Sequence, residues 1–177
     1  MEIKIDVKNL ENIVKRFEQA PDWVRKNIKS ALQQSLRTVA NNAAKEIKYN
    51  DSKNHLRMSI KQEVIDIDGI QGRVYLDPAI TKTANGLSYG VFLHEGTGIH
   101  RPGGARYFVK PVKWKALRWV GPNGNFCYSK GHWVDGVMAN PFIYKGGERS
   151  RAEINKIFER QLDRAAREQG GSGRIRI

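Results

Sequence analysis

The longest helical pattern in the sequence covers residues 22–49 and does most to limit the possible folds. Small and apolar residues recur there at helical spacing, and lysines and arginines occupy much of the rest, which predicts one amphipathic helix. At 1.5 Å per residue this helix would be about 40 Å long, enough to span one face of a sheet and still project towards a neighbour. The predicted apolar stripe contains Val24, Ile28, Ala31, Leu32, Ser35, Val39, Ala43 and Ile47.

A second amphipathic helix is predicted over residues 144–169 near the C-terminus. Its apolar positions follow the same helical period. At the other end of the chain, alternation over residues 3–7 predicts a half-buried strand, and residues 9–19 predict a short helix. The apolar positions of the C-terminal helix are Ile154, Ile157, Phe158, Leu162 and Ala165.

Between the two long helices the sequence predicts strands. The segments 56–69 and 71–77 are interpreted as a hairpin that turns at Asp68-Gly69, and residues 87–96 as a further strand. Shorter β segments are predicted at 107–109, 116–120 and 125–128. The prediction is therefore an α+β fold, an antiparallel β-sheet packed by a long helix in the N-terminal half and by the C-terminal amphipathic helix. We expect one domain over residues 1–169 and a flexible tail over 170–177.

Composition indicates a soluble protein with an anionic partner. The 177 residues include 31 Lys and Arg against 18 Asp and Glu, a net charge of +13, which predicts attraction to polyanions or to an acidic protein surface. The single cysteine, Cys127, cannot form an intrachain disulfide and is expected to be a small buried side chain. The N-terminus lacks a secretory signal pattern, and no run of 18 apolar residues occurs, so we expect a cytoplasmic protein with no membrane partner.

The stretch YGVFLHEGTGIHRPGGARYFVKP, residues 89–111, has the residue types of an active site, a phosphate-binding loop or a plain loop. A metal site is disfavoured because His94 and Glu95 would face opposite sides of a strand and His100 follows across two glycines. His132 is the remaining histidine nearby, and no HExxH or CxxC motif accompanies it. No GxSxG or P-loop signature occurs. We therefore predict no enzyme activity and no catalytic, cofactor or metal site, and we expect glycines with positive φ in the turn.

Residues 96–134 form a segment that is both basic and aromatic. It contains no Asp or Glu and seven positive charges, interleaved with aromatic side chains. Such a segment can bind nucleic acid through phosphate contacts and stacking, can form a protein–protein surface, or can be a sheet whose aromatic residues are core. The basic residues are Arg101, Arg106, Lys110, Lys113, Lys115, Arg118 and Lys130, and the aromatic ones are Tyr107, Phe108, Trp114, Trp119, Phe126, Tyr128 and Trp133.

The last four residues follow a glycine-rich segment and alternate between basic and apolar side chains. This pattern is typical of a strand that adds to the edge of a neighbouring sheet, and disorder is an equal expectation for a chain end. The residues are Arg174, Ile175, Arg176 and Ile177.

Three short motifs occur in an order that resembles the tail-completion, or head–tail joining, family of long-tailed bacteriophages. The family pattern is a Leu-Arg-x-Ser-Ile strand start, then Tyr-Ala/Gly-x-x-x-Glu-x-Gly-Thr, then Pro-Phe before the last helix, and the resemblance spans roughly residues 22–168. The matching residues are Leu56, Arg57, Ser59 and Ile60, then Tyr89, Gly90, Gly96 and Thr97, with Glu95 one position after the Glu of the pattern, then Pro141 and Phe142.

The resemblance implies a structural protein of the virion tail or neck, assembled in the host bacterial cytoplasm without a cofactor. It implies a ring, commonly a hexamer in the virion and a monomer in solution, that contacts a head-connector or stopper protein and the tail-tube protein and surrounds the DNA. Tail terminator, joining protein and minor tail component remain open alternatives within it.

On this interpretation the segment after residue 93 is an edge strand that leaves the sheet into an adaptable assembly loop. A DNA or acidic-partner contact is expected next to it, and a free-standing basic nucleic-acid-binding protein that uses residues 101–119 is the alternative function. The assembly residues are Glu95, Gly96, Thr97, His100, Arg101, Arg106, Tyr107 and Phe108, and the DNA or acidic-partner residues are Lys110, Lys113, Lys115 and Arg118.

Overall fold

The structure, a computed structural model of the chain, describes residues 22–49, 54–66, 70–83 and 86–168. Helices and antiparallel strands share this part of the chain, which confirms the α+β class. In chain order the elements are α1 (Asp22–Glu46), α2 (His55–Met58), β1 (Ile60–Asp66), β2 (Ile70–Leu76), α3 (Tyr89–Glu95), a 3-10 helix (Gly98–His100), β3 (Tyr107–Val109), β4 (Leu117–Val120), β5 (Phe126–Ser129), β6 (His132–Val134) and α4 (Phe142–Glu168).

The described chain forms two compact units. The first contains the described residues up to Gly90 and those from Pro141 onward, and the second is Val91–Asn140. A compact unit need not fold by itself, so the single domain expected over residues 1–169 stays a prediction. Among the described helices, none is both long and apolar enough to cross a membrane.

The first unit is organised by the packing of the two long helices predicted from the sequence. A Cβ atom placed on Gly146 of α4 would lie 2.5 Å from the backbone nitrogen of Ala43 in α1 and 2.7 Å from its Cα, so the absence of a side chain permits this close approach. The fully buried Ser150 accepts a hydrogen bond from Asn42 Nδ2 at 3.0 Å and donates one to the Gly146 carbonyl oxygen at 2.6 Å. Small residues therefore set the separation of the helices.

Helix α1 buries part of the stripe that its sequence predicts, whereas the predicted Val24, Ile28 and Leu32 are half-buried. Its acidic Asp22 lies in the first turn and its basic Lys45 in the last, as the helix dipole favours. The helix ends at Glu46, three residues before the predicted end. The buried residues are Asn27, Ala31, Ser35, Leu36, Val39 and Ala43.

The hairpin of β1 and β2 packs on α1 through a second glycine. The strands pair antiparallel from Ile60 opposite Leu76 to Asp66 opposite Ile70. A Cβ atom on Gly72 would lie 2.8 Å from Leu36 Cδ1, which shows how closely β2 approaches the helix. The predicted strand start at residue 56 is wrong, because residues 55–58 form the short helix α2 before β1 begins.

The strand predicted at residues 87–96 is wrong as well, because residues 89–95 form helix α3. Gly96 has φ +79°, and its N–H donates to the Phe92 carbonyl oxygen at 2.8 Å, which is the left-handed glycine cap of a helix C-terminus. The β-branched and aromatic residues of the run favour a strand locally, and the cap together with tertiary packing overrides that preference. His94 and Glu95 therefore lie on a helix and not on alternate faces of a strand.

The strands form three separate two-stranded antiparallel sheets in the described chain and not one continuous sheet. The predicted segment 107–109 is confirmed, and those at 116–120 and 125–128 are each shifted by one residue at one or both ends. Strand β6 was not predicted. Residues 3–7, 9–19, the Asp68-Gly69 turn and the tail 170–177 lie outside the described residues.

We predict that Gly146→Ala destabilises the protein although alanine is the better helix former. The added methyl group meets the backbone of Ala43, and overpacking of this kind costs about 1–3 kcal/mol, more than the gain of about 1 kcal/mol in helix propensity. The free energy of unfolding, measured by urea denaturation, is the test. Asn155→Ala, at an exposed position of the same helix, is the control and should change stability by less than about 0.5 kcal/mol. An unchanged stability of Gly146→Ala would contradict the described helix approach.

Candidate functional site

The second unit is built with almost no apolar core. Every buried hydrophobic residue among those described lies in the first unit, whereas the buried positions of the second unit are His94, Gly96 and Asn140. The aromatic residues of this unit are mostly exposed, and Trp114 reaches 82% exposure. The interpretation of these aromatics as a sheet core is therefore wrong. Exposed apolar area on this scale is typical of an interaction surface.

Backbone hydrogen bonds and glycines hold the unit together instead. Thr97 donates its N–H to the Val137 carbonyl oxygen at 2.9 Å, and its Oγ1 accepts from the Val137 N–H at 2.8 Å. The Ile99 N–H donates to the Asp135 carbonyl oxygen at 2.8 Å. Gly98, with φ +61°, lies so close to the same carbonyl oxygen that a Cβ atom would stand 1.9 Å from it. The expectation of positive φ in this turn is confirmed, and the glycines serve close packing of two backbone segments.

The hairpin of β4 and β5 has one face that is open to solvent. Arg118 pairs with Tyr128 and Val120 pairs with Phe126, so these four side chains share one face. All four are exposed, and the Arg118 guanidinium lies over the Phe126 ring at 4.7 Å from its centroid. We call this set the outer hairpin face.

The opposite face of the same hairpin lies towards β6. Trp119 and His132 place their ring centroids 5.0 Å apart. Cys127 is the cross-strand partner of Trp119. Its side chain was expected to be buried, but it is only half-buried. The hairpin is thus attached to the rest of the second unit by one face, which leaves the outer hairpin face uncovered.

A second exposed aromatic pair lies on the sheet of β3 and β6. Phe108 and Trp133 are cross-strand partners whose ring centroids lie 5.6 Å apart in an edge-to-face arrangement. They are 52% and 63% exposed. Gly131 lies beneath the Phe108 ring, where a Cβ atom would come within 2.6 Å of the ring. The Phe108 ring therefore packs directly against the Gly131 backbone, and the rest of the ring is exposed.

The basic residues of the second unit are exposed as well. Arg106 forms an ion pair with Asp135. Arg101 is exposed on the loop before β3. The four residues predicted as DNA or acidic-partner contacts, Lys110, Lys113, Lys115 and Arg118, are all exposed.

The predicted assembly residues fall into two groups. Tyr107 and Phe108 are exposed on β3, as a contact surface requires. Glu95, at the end of α3, is half-buried and forms no ion pair with a described arginine. Gly96 is buried, and Thr97 is bonded to Val137, so these two build the fold of the unit. The predicted edge strand is thus replaced by a capped helix and a hydrogen-bonded turn, and residues 101–106 form a loop. The predicted tail residues 174–177 lie outside the described part of the chain.

No metal centre is formed within the described residues, which contain no group of three or more His, Cys, Asp or Glu side chains arranged for a metal ion. His94 is 6% exposed, and its burial lowers its pKa below the ordinary value of 6.5, while the neighbouring Glu95 carboxylate acts in the opposite direction. With its pKa lowered, this buried imidazole is neutral at pH 7.

A shallow cleft in the first unit contains several charged groups. Arg37, Arg57 and Lys61 contribute to its wall, and all three are exposed. Arg57 already donates to Asn54 Oδ1 and to the Ala44 carbonyl oxygen, both at 3.3 Å. Ligand pockets usually enclose apolar surface with a few convergent polar groups, and this open cleft has no such character.

Sequence reasoning did not include Val120, Phe126, Tyr128 and Trp133 among the site residues. The aromatic members were visible as part of the basic and aromatic segment, but their faces depend on strand register, which short irregular strands do not reveal. The alternation of Phe126, Cys127 and Tyr128 was the available signal.

No family model, curated protein or solved structure matches this chain. The function must therefore be argued from the surface of the second unit and from the motif resemblance.

We predict that Gly98→Ala destabilises the protein more than Gly103→Ala. Both glycines have positive φ, +61° and +70°, so alanine costs about 1–2 kcal/mol at either position. Gly103 has open space around it, whereas a Cβ on Gly98 meets the Asp135 carbonyl, which adds about 1–3 kcal/mol. Thermal unfolding followed by near-UV circular dichroism measures the difference. Equal melting temperatures for the two variants would show that the 97–99 and 135–137 segments do not approach as described.

We predict a pH dependence of stability that comes from His94. Its pKa is lower in the folded than in the unfolded state, so the unfolded state binds more protons just below pH 6.5 and the free energy of unfolding falls there on acidification. His94→Gln should remove this part of the slope, measured by urea denaturation between about pH 7 and 5. His100→Gln, which also removes one imidazole, is the control and should retain the slope. Identical pH profiles for the natural protein and His94→Gln would contradict the assignment.

Proposed function

We propose that this protein is a structural component of a bacteriophage or prophage tail that completes the tail or joins it to the head connector as part of a ring. In this role it has no catalytic site and no cofactor, and it acts by binding copies of itself and the neighbouring connector and tail-tube proteins. The observation that supports the proposal most strongly is the second unit, whose large apolar side chains are exposed and not buried in a core.

An exposed aromatic pair of this kind favours a protein contact. Trp, Tyr and Phe are enriched at the centres of protein interfaces, where they supply large contact area at low entropic cost. Phe108 and Trp133 present such area side by side, and Gly131 fixes the position of Phe108 from below. A preformed pair loses little freedom when it binds, so the β3–β6 face is suited to docking against a neighbouring subunit or the connector.

The motif resemblance supports the same role, and several of its residues are buried in the first unit. Leu56 and Ser59 are fully buried, and the Ser59 hydroxyl donates to the Leu56 carbonyl oxygen at 2.7 Å. Phe142, at the start of α4, is also fully buried. The three motifs thus mark the start of the β1–β2 hairpin, the α3 cap and the start of α4. Ring assembly uses the surface that this scaffold presents.

The charge of the protein supports an anionic neighbour in the particle. A net charge of +13 on each copy is multiplied around a ring, which requires an electronegative connector surface or DNA nearby to offset the repulsion.

The gene deletion in its natural genome, followed by electron microscopy of the lysate, tests the role. We expect filled heads separate from unattached tails, and complementation with the natural gene should restore joined particles. Intact virions from the deletion strain would reject the proposal.

We predict that Phe108→Ala combined with Trp133→Ala yields a folded protein that fails to complement the deletion. Truncation of two interface aromatics weakens a contact by about 4 kcal/mol, which should lower the yield of infectious particles by at least about tenfold. The readout is the plaque titre, with circular dichroism as the fold check. Tyr144→Ala, which removes an aromatic residue that is 64% exposed on α4, is the matched control and should complement normally. A normal titre from the double variant would remove the β3–β6 face from the assembly contact.

A further inference from the structure

The outer hairpin face combines planar groups in an arrangement that no fold requirement explains. Val120, Phe126 and Tyr128 are 60%, 57% and 65% exposed, so they contribute little to the stability of the second unit. Phe126 and Tyr128 lie two residues apart on one strand and therefore share a face at a separation of roughly 7 Å. Two aromatic faces at this spacing on an open sheet form a platform on which flat ligands can stack.

Arg118 extends this platform with a third planar group. Its guanidinium lies over the Phe126 ring, and its cross-strand partner is Tyr128, so cation and rings form one continuous surface. Arginine planes and aromatic rings are the groups on which proteins stack unpaired bases, and the remaining N–H donors of the guanidinium match phosphate oxygens.

The charges of the 96–134 segment favour phosphate over a protein partner. Between residues 96 and 134 the chain has no carboxylate, and four of its seven cations, Lys110, Lys113, Lys115 and Lys130, are lysines. Lysine is depleted at protein interfaces, whereas it is a regular ligand of the nucleic-acid backbone. A second copy of this chain is a poor occupant, because two such faces would bring like charges together.

We infer that the outer hairpin face binds single-stranded nucleic acid, with bases stacked on Phe126, Tyr128 and Arg118 and with phosphates bound by lysines of the 96–134 segment. A duplex keeps its bases paired and stacked internally, so it can use only the positive charges. The inference goes beyond the assembly role and does not depend on it, since it uses the β4–β5 hairpin and not the Phe108 and Trp133 pair.

Fluorescence anisotropy with a labelled thymidine oligonucleotide tests the inference on the full-length protein. We expect micromolar or tighter binding at about 50 mM salt that weakens steeply towards 200 mM. Phe126→Ala combined with Tyr128→Ala should lower the affinity by at least about tenfold while the number of basic residues stays the same. The single variant Tyr128→Trp keeps an aromatic ring at this position, so it should retain most of the affinity of the natural protein.

Two controls separate this site from the assembly surface and from unspecific attraction. The Phe108→Ala and Trp133→Ala double variant should bind the oligonucleotide normally, because its aromatics lie on the other sheet. A duplex of equal length should bind more weakly than the single strand and should not respond to loss of Phe126 and Tyr128.

Three results would overturn the inference. The first is no binding at low salt. The second is an affinity that the Phe126 and Tyr128 truncations leave unchanged, which would reduce the interaction to the lysines alone. The third is equal competition by polyglutamate, which would indicate an acidic protein as the natural partner. Failure of these tests would leave the assembly role standing, because that role is decided by the deletion strain and by the Phe108 and Trp133 variant.

Discussion

The close approach of helices α1 and α4 at Ala43 and Gly146 is the contact on which the first unit depends. Because Gly146 has no side chain, the two helix backbones approach so closely that a Cβ atom there would lie 2.5 Å from the Ala43 nitrogen. At this separation the half-buried Asn42 can donate a hydrogen bond to the buried Ser150 across the interface. The buried apolar residues of α1, β2 and α4 then share one core.

The second unit follows a different principle. Its segments are held by backbone hydrogen bonds at Thr97 and Ile99 and by glycines that allow two backbones to touch, so its large side chains remain available to solvent. Exposed apolar area of this kind is typical of an interaction surface. The unit has two exposed aromatic faces on two separate sheets. We propose the Phe108 and Trp133 face for assembly and the Phe126 and Tyr128 face for nucleic acid.

Local sequence patterns predicted one helix correctly and another wrongly as a strand. The stripe from Ala31 to Ala43 predicted α1, because a long period of 3.6 residues has no other explanation. The run from Tyr89 to Glu95 is too short for its period to distinguish a strand from a helix, and its aromatic and β-branched residues favour a strand. Gly96 has the positive φ that was expected in this turn, but it ends a helix there and not a strand.

The sequence by itself determined the two long helices, the β1–β2 hairpin, the α+β class and the concentration of basic and aromatic residues in 96–134, because periodicity and charge are local properties. Only the tertiary structure decided that Phe108, Trp133, Phe126 and Tyr128 are exposed and on which faces they lie. Their orientation depends on strand register and on the glycine contacts at Gly98 and Gly131, which join residues distant in the chain. Composition does not specify which distant residues come into contact, because those contacts are decided by the packing of the folded chain.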